Sequence, residues 1–196
     1  MASMRVRTLA LGAALLLTVT ACGGGNDDVE SGSAPAGAEG AAPASEGSAE
    51  GDAQGSAGSG EDAAPAFVAT TLDGDELDSA SLAGTDTVLW FWAPWCTTCR
   101  AEAPDVAATA AAFADEVKVV GVASRGDVGE MEDFVSDTDT GAFAHVADEA
   151  GDIWSSYGVA AQPAFAFIND DGTYTVHLGA LGADGLQERF EQLAAA

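Results

Sequence analysis

Three cysteines occur in 196 residues, and two of them are separated by a dipeptide, Cys96-Thr97-Thr98-Cys99. Sulfur at that spacing supports two chemistries, metal ligation by thiolates and reversible disulfide exchange. As a structural staple the pair is poor, because so short a loop removes little chain entropy from the unfolded state. It is more naturally a redox couple. His145 and His177 would complete a four-ligand zinc set on paper, yet they fall in separate predicted strands without ligand spacing. The expectation is therefore no metal, and no cofactor other than a redox-active Cys96/Cys99 disulfide.

The surrounding residues predict how these thiols are held. Residues 88–92 form a continuous apolar run that ends at Pro94, as a buried central strand does. After Cys99 an alanine-rich stretch reaches Phe113 and reads as a helix, with Pro104 expected to kink it. A strand, a turn at residues 93–95 and a helix place Cys96 at the helix start. Unpaired N–H groups and the positive end of the helix there favour a thiolate, with a pKa below the free value of ~8.5. Cys96 is thus expected to be the exposed attacking sulfur, and Cys99, one turn later, the more buried resolving partner.

Other elements follow from periodicity and punctuation. A short strand at 67–72 runs into Asp73-Gly74-Asp75, a second buried strand covers 117–123, and 128–135 has helical spacing. His145-Val146 belongs to a further strand, and 148–157 reads as a helix with Asp148 as its N-cap. Residues 164–168 and 173–178 alternate across Asn169-Asp170-Asp171-Gly172, a hairpin signal, and 184–193 closes the chain as a helix. Strands alternating with helices before a terminal hairpin imply an α/β sandwich around a mixed sheet.

The N-terminal third is of another kind. Arg5 and Arg7 precede an apolar run at 9–19 that ends in Thr20, Ala21 and Cys22, the pattern of a cleavable secretory signal over residues 1–21. The run is short for a membrane span, and no later stretch approaches ~20 apolar residues. Val19-Thr20-Ala21-Cys22 resembles the lipobox of bacterial lipoproteins, which implies that Cys22 is a lipid anchor. The alternative is a plain secretory signal with an incidental cysteine. From Cys22 to residue 64 the chain is Gly, Ala, Ser, Pro and acidic residues, with Val29 its only large aliphatic side chain. It is expected to be a disordered acidic tether with an r.m.s. reach of roughly 35 Å, leaving 65–196 as the folded domain. The balance of 32 acidic against 6 basic residues excludes nucleic acid and acidic lipid surfaces as partners.

Trp-Cys-x-x-Cys after an apolar strand, with Pro163 in Gln162-Pro163-Ala164 before a later strand, resembles the thioredoxin superfamily across nearly all of 65–196. The run Phe91-Trp92-Ala93-Pro94-Trp95-Cys96, with Cys99-Arg100-Ala101-Glu102-Ala103-Pro104, is similar to its TlpA/ResA-like branch, and most similar to the secreted DsbE/DsbF-type oxidases of Gram-positive bacteria. The resemblance implies a thioredoxin-like α/β/α sandwich with a central mixed β-sheet. It further implies a cis Pro163 facing the cysteines, where composition alone would read a trans turn proline, and a Gln162 backbone that pairs with substrate. Glu102 matches a carboxylate that the ResA-like group places near its disulfide, a relay for the Cys99 proton; the plainer reading is a solvated helix glutamate. Trp90 stands where thioredoxin has a buried aspartate. Trp92 is expected in the core and Trp95 on an apolar rim open to substrate. Arg100 either offsets the negative field at Cys96 or is a solvated helix charge. Peroxiredoxins, which share the fold, need a threonine three residues before the nucleophile, where this chain has Ala93.

The expected function is that of an extracytoplasmic thiol-disulfide oxidoreductase, lipid-anchored to the outer face of the cytoplasmic membrane. It would act as a disulfide oxidase for secreted proteins through a mixed disulfide at Cys96 resolved by Cys99. The alternative is a TlpA/ResA-like thiol reductase in cytochrome c maturation. The expected partners are secreted or unfolded protein thiols and a membrane redox protein that recycles the disulfide.

Overall fold

The computed structural model describes residues 56–60 and 63–196. The expected signal sequence, Cys22 and most of the expected acidic tether lie outside the described residues. The structure contains strands β1 (Ser56–Gly60), β2 (Val68–Thr70), β3 (Glu76–Asp78), β4 (Thr87–Trp92), β5 (Lys118–Ala123), β6 (Ala144–Ala147), β7 (Ala164–Ile168) and β8 (Tyr174–Leu178). Helices α1 (Thr97–Ala112), α2 (Val128–Asp137), α3 (Asp152–Ser156) and α4 (Gly182–Ala194) alternate with them, and a 3-10 turn spans Ser79–Leu82.

Six strands form one sheet in the order β1-β8-β7-β4-β5-β6. β4 runs parallel to β5, and β5 to β6, while β7 lies antiparallel to both β4 and β8. The central position of β4 explains its sequence, since all six of its residues are buried, as a strand covered on both faces requires. Successive side chains alternate between two cores. Val88, Trp90 and Trp92 pack with Val106 of α1, Phe134 of α2 and Phe190 of α4. Leu89 and Phe91 face the other way, onto Ile153 and Trp154 of α3, Tyr157 and the β2–β3 hairpin. The architecture is the expected α/β sandwich around a mixed sheet.

Two elements differ from the sequence reading. The segment expected to be tether through residue 64 contains β1, which pairs antiparallel with β8 from Ser56↔His177 to Gly60↔Tyr174. A strand of serine, alanine and glycine needs no apolar side chains to form, because the open edge of β8 offers it unpaired backbone groups. The Ala64 N–H likewise donates to the Gly172 carbonyl at 2.9 Å. α3 is shorter than the periodicity predicted and is capped by Gly151, not Asp148. Asp148 instead accepts the Trp154 N–H at 2.9 Å. Pro104 lies inside α1, where its missing N–H costs one bond to the preceding turn. None of the described helices is long and apolar enough to cross a membrane.

Candidate active site

β4 carries the chain from the floor of the sheet to Trp92, and the parallel neighbour β5 ends level with it, Trp92 opposite Ala123. Residues leaving the carboxyl ends of parallel strands share one rim of the sheet, the usual place for chemistry in α/β folds. The chain turns there over Ala93, Pro94 and Trp95, with the Cys96 N–H donating back to the Ala93 carbonyl at 3.1 Å. Cys96 is the N-cap residue of α1, with extended backbone angles of φ −74° and ψ 108°. Its Sγ accepts the Cys99 N–H at 3.0 Å, and a disulfide joins it to Cys99 with the Cα atoms 5.2 Å apart. One of the four N–H groups that a helix start leaves unpaired is therefore aimed at the Cys96 sulfur.

The two sulfurs differ in access as expected, but the difference is small. Cys99 is 0 % exposed and Cys96 only 6 %. The expectation of an exposed Cys96 is corrected to an almost buried residue that packs with the hydrophobic core on this face of the sheet. Trp95 forms the outer edge at 59 % exposure, while Trp92 is fully buried, stacked on Phe134 with ring centroids 4.2 Å apart. Trp92 Nε1–H donates to His145 Nδ1 at 3.2 Å, which leaves Nε2 to donate to the Thr140 carbonyl at 3.0 Å. Burial holds the His145 pKa below its ordinary value, against the opposing pull of the Thr140 carbonyl. His145 is a core residue with both ring nitrogens engaged, and no cluster of three or more metal-ligating side chains occurs among the described residues.

Pro163 follows a cis peptide bond from Gln162 and immediately precedes β7. Ala164 pairs with Phe91, so Pro163 sits one step beyond that pair, beside the strand end from which the cysteine turn departs. The tertiary pairing thus brings Gln162 and Pro163 to the rim that holds Cys96.

Glu102 is not the solvated glutamate of the plainer sequence reading. It is 4 % exposed, and its Oε1 accepts the backbone N–H groups of Leu181 at 2.6 Å and Gly182 at 3.1 Å, at the start of α4. Oε2 is buried without a partner. Burial raises the Glu102 pKa above the ordinary carboxylate value, the two N–H donors oppose that shift, and Asp105 adds to it. Glu102 lies one helical turn beyond Cys99, with a free carboxylate oxygen and a raised affinity for a proton. Arg100 pairs with Asp137 of α2 at 3.2 Å and lies over the Phe134 ring.

A further residue escaped the sequence reading. Arg125, just past β5, accepts the Trp95 indole N–H on its carbonyl at 2.7 Å and donates from Nη1 to Gln162 Oε1 at 3.1 Å. Its position just after a predicted buried strand was the available signal, by the same rim rule that locates Cys96.

A profile described as the AhpC/TSA family matches residues 61–176. The soluble secreted antigen MPT53 of Mycobacterium tuberculosis is 50% identical over 109 residues, covering 56% of this chain and 62% of that protein. The chain thus spans less than two thirds of the length of the curated relatives it matches first. A solved structure described as M. tuberculosis DsbF in mixed oxidised and reduced forms superposes with a TM-score of 0.63 at 43% identity, covering 65% of this chain and 94% of that one. A secreted M. tuberculosis disulfide oxidoreductase, described as homologous to E. coli DsbE, superposes with a TM-score of 0.60 at 46% identity over 65% of this chain and 96% of its own. With more than half of its length matched by the profile and its fold shared with these structures, this chain belongs to the AhpC/TSA family and has its thioredoxin-like architecture.

Proposed function

We propose that this protein is a thiol-disulfide oxidoreductase whose working groups are Cys96 and Cys99. The observation that carries the reading is the Cys96/Cys99 pair at the start of α1, with the Cys99 N–H directed at the Cys96 sulfur. In the oxidase direction a substrate thiolate attacks Cys96 Sγ. The Cys96–Cys99 bond breaks, a mixed disulfide forms at Cys96, and Cys99 leaves with the electron pair. A second substrate thiolate then attacks the substrate sulfur, releasing an oxidised substrate and the Cys96 thiolate. Two electrons have passed from two substrate thiols to the pair, which a membrane redox partner reoxidises. In the reductase direction the Cys96 thiolate attacks first, and Cys99 resolves the mixed disulfide.

Charge on Cys96 is favoured in both directions by the helix start, and Glu102 relays the Cys99 proton, giving it to the departing Cys99 thiolate in the oxidase direction and taking it from the Cys99 thiol in the reductase direction. Gln162 and Pro163 form the edge along which an extended substrate backbone lies, with Trp95 as its apolar wall. The oxidase direction rests on the likeness to DsbE-type proteins, an extracytoplasmic site on the secretory pattern at the N-terminus and the secreted relatives, and a lipid anchor at Cys22 on the lipobox-like Val19-Thr20-Ala21-Cys22. Ala93 stands where a peroxidatic site needs threonine, which argues against peroxide as the substrate.

Equilibration of the pair with glutathione buffers tests the direction. An oxidase is expected to fall between about −180 and about −120 mV, the range of protein disulfide isomerase and DsbA. A value near thioredoxin's ~−270 mV defeats the oxidase reading in favour of reduction. Cys99→Ser should also trap a mixed disulfide with a disulfide-bearing peptide, whose bond the Cys96 thiolate breaks with release of the peptide's other thiol, and failure to trap one removes Cys96 from its assigned role.

A further inference from the structure

Arg125 ties together the parts of the rim that flank the disulfide. It follows β5, whose last residue Ala123 pairs with Trp92, so the chain at Ser124 and Arg125 lies beside the turn that carries Cys96. The contact is close: a Cβ on the next residue, Gly126, would collide with the Pro94 ring. The backbone of Arg125 has φ 60°, in the left-handed region that a residue with a side chain occupies only when its surroundings hold it there. That conformation sends the carbonyl and the side chain to different neighbours. The carbonyl accepts the Trp95 indole N–H at 2.7 Å. Nη1 donates to Gln162 Oε1 at 3.1 Å, and Nη2 to the Ala160 carbonyl at 2.7 Å.

The guanidinium has a firm seat. Its central carbon lies 4.8 Å from the ring centroid of Trp154. Trp154 is itself buried and anchored twice, by its indole N–H on the Val122 carbonyl at 3.0 Å and by its backbone N–H on Asp148 at 2.9 Å. A planar fork with two fixed acceptors and a ring beneath it orders the segment it grips, which a single flexible ammonium would not do as well. The gripped segment, Ala160 to Gln162, leads directly into Pro163 and β7.

We propose that Arg125 is a positioning residue for substrate, acting through Gln162 and Trp95. It holds the 160–162 edge and the Trp95 wall in register, so that an extended, cysteine-bearing polypeptide meets a docking edge already ordered. Ordering before binding removes an entropic cost that would otherwise fall on the complex. The inference rests on the oxidoreductase reading above, but concerns recognition of the polypeptide and not the exchange of sulfur bonds.

Arg125→Gly tests it, because glycine is at ease at φ 60° and retains the carbonyl acceptor for Trp95 while losing the fork. Arg125→Lys keeps the charge without the bidentate geometry and provides a second, conservative variant. For a reduced, unfolded cysteine peptide, KM should rise about ten-fold in Arg125→Gly and by a smaller factor in Arg125→Lys, with kcat little changed. The rate of reduction by dithiothreitol and the equilibrium with glutathione, neither of which uses the docking edge, should stay within about two-fold of the parent. An unchanged peptide KM overturns the proposal, as does a parallel change in the dithiothreitol rate or glutathione equilibrium, which would place the effect at the sulfurs. A parent chain that exchanges with neither peptide nor glutathione overturns the oxidoreductase reading and this inference with it. A parent that exchanges while both variants match it overturns this inference alone.

Discussion

Glu102 and His145 show how burial, more than sequence neighbours, decides what a titratable side chain does. Both are almost fully enclosed, and in both burial is the largest cause of the shift, raising the pKa of Glu102 and lowering that of His145. Their effects on stability have opposite signs. With its folded pKa raised above 4.5, Glu102 binds a proton more tightly when folded, so its contribution is complete below pH 4.5 and lost as pH rises through the folded value. With its folded pKa lowered, His145 contributes fully above 6.5 and loses that contribution as pH falls through the folded value. Glu102→Gln retains an acceptor for the Leu181 and Gly182 N–H groups but cannot ionise. Denaturant unfolding across pH 4 to 8 should show the parent losing stability relative to this variant as pH rises. Parallel curves for the two proteins would mean that Glu102 ionises alike in folded and unfolded chains.

At the scale of elements, β4 and α1 need each other at one point, where a fully buried strand ends and a helix begins on Cys96. This junction was legible, because an apolar run, a proline and a helix-forming stretch leave few alternatives. Arg125 was not legible as a partner of Gln162, since 37 residues separate them and only the pairing of β5 and β7 to either side of β4 brings them to one rim. Nor was β1, whose serine, alanine and glycine carry the composition of a linker. Such a strand, paired through its backbone to β8, should be dispensable. Removal of residues 1–62 should leave cooperative thermal unfolding with a midpoint lowered by less than about 4 °C. A larger loss, measured by circular dichroism, would make β1 an integral part of the sheet.

The whole molecule is set apart by its charge, formally −26 at pH 7. Among the described residues the ion pairing is slight: Arg100 meets Asp137 at the surface, where such a pair contributes ~0–1 kcal/mol. Arg100, Arg125 and Arg189 each lie over an aromatic ring, so the few cations serve packing as much as charge balance. Self-repulsion among the carboxylates therefore remains largely uncompensated and is left to the solvent ions. Raising ionic strength from about 0.01 M to about 1 M shortens the screening length from ~30 to ~3 Å and should raise the melting midpoint of the parent chain. A midpoint independent of salt would show that the acidic residues are spaced widely enough not to interact.

What the sequence determined by itself was local: two thiols one helical turn apart, a strand before them, a helix after them, and the order of elements that makes an α/β sandwich. Periodicity and short spacings encode these features directly, because each depends on neighbours within a few residues. The tertiary structure decided which distant residues share the rim with Cys96 and how deeply each lies. It decided for Glu102 between a solvated helix charge and an enclosed carboxylate, in favour of the latter at the start of α4, placed the Gln162-Pro163 edge beside the end of β4, and brought Arg125 to it. Those outcomes depend on strand order and burial, which arise only when the sheet is assembled and its two faces are covered.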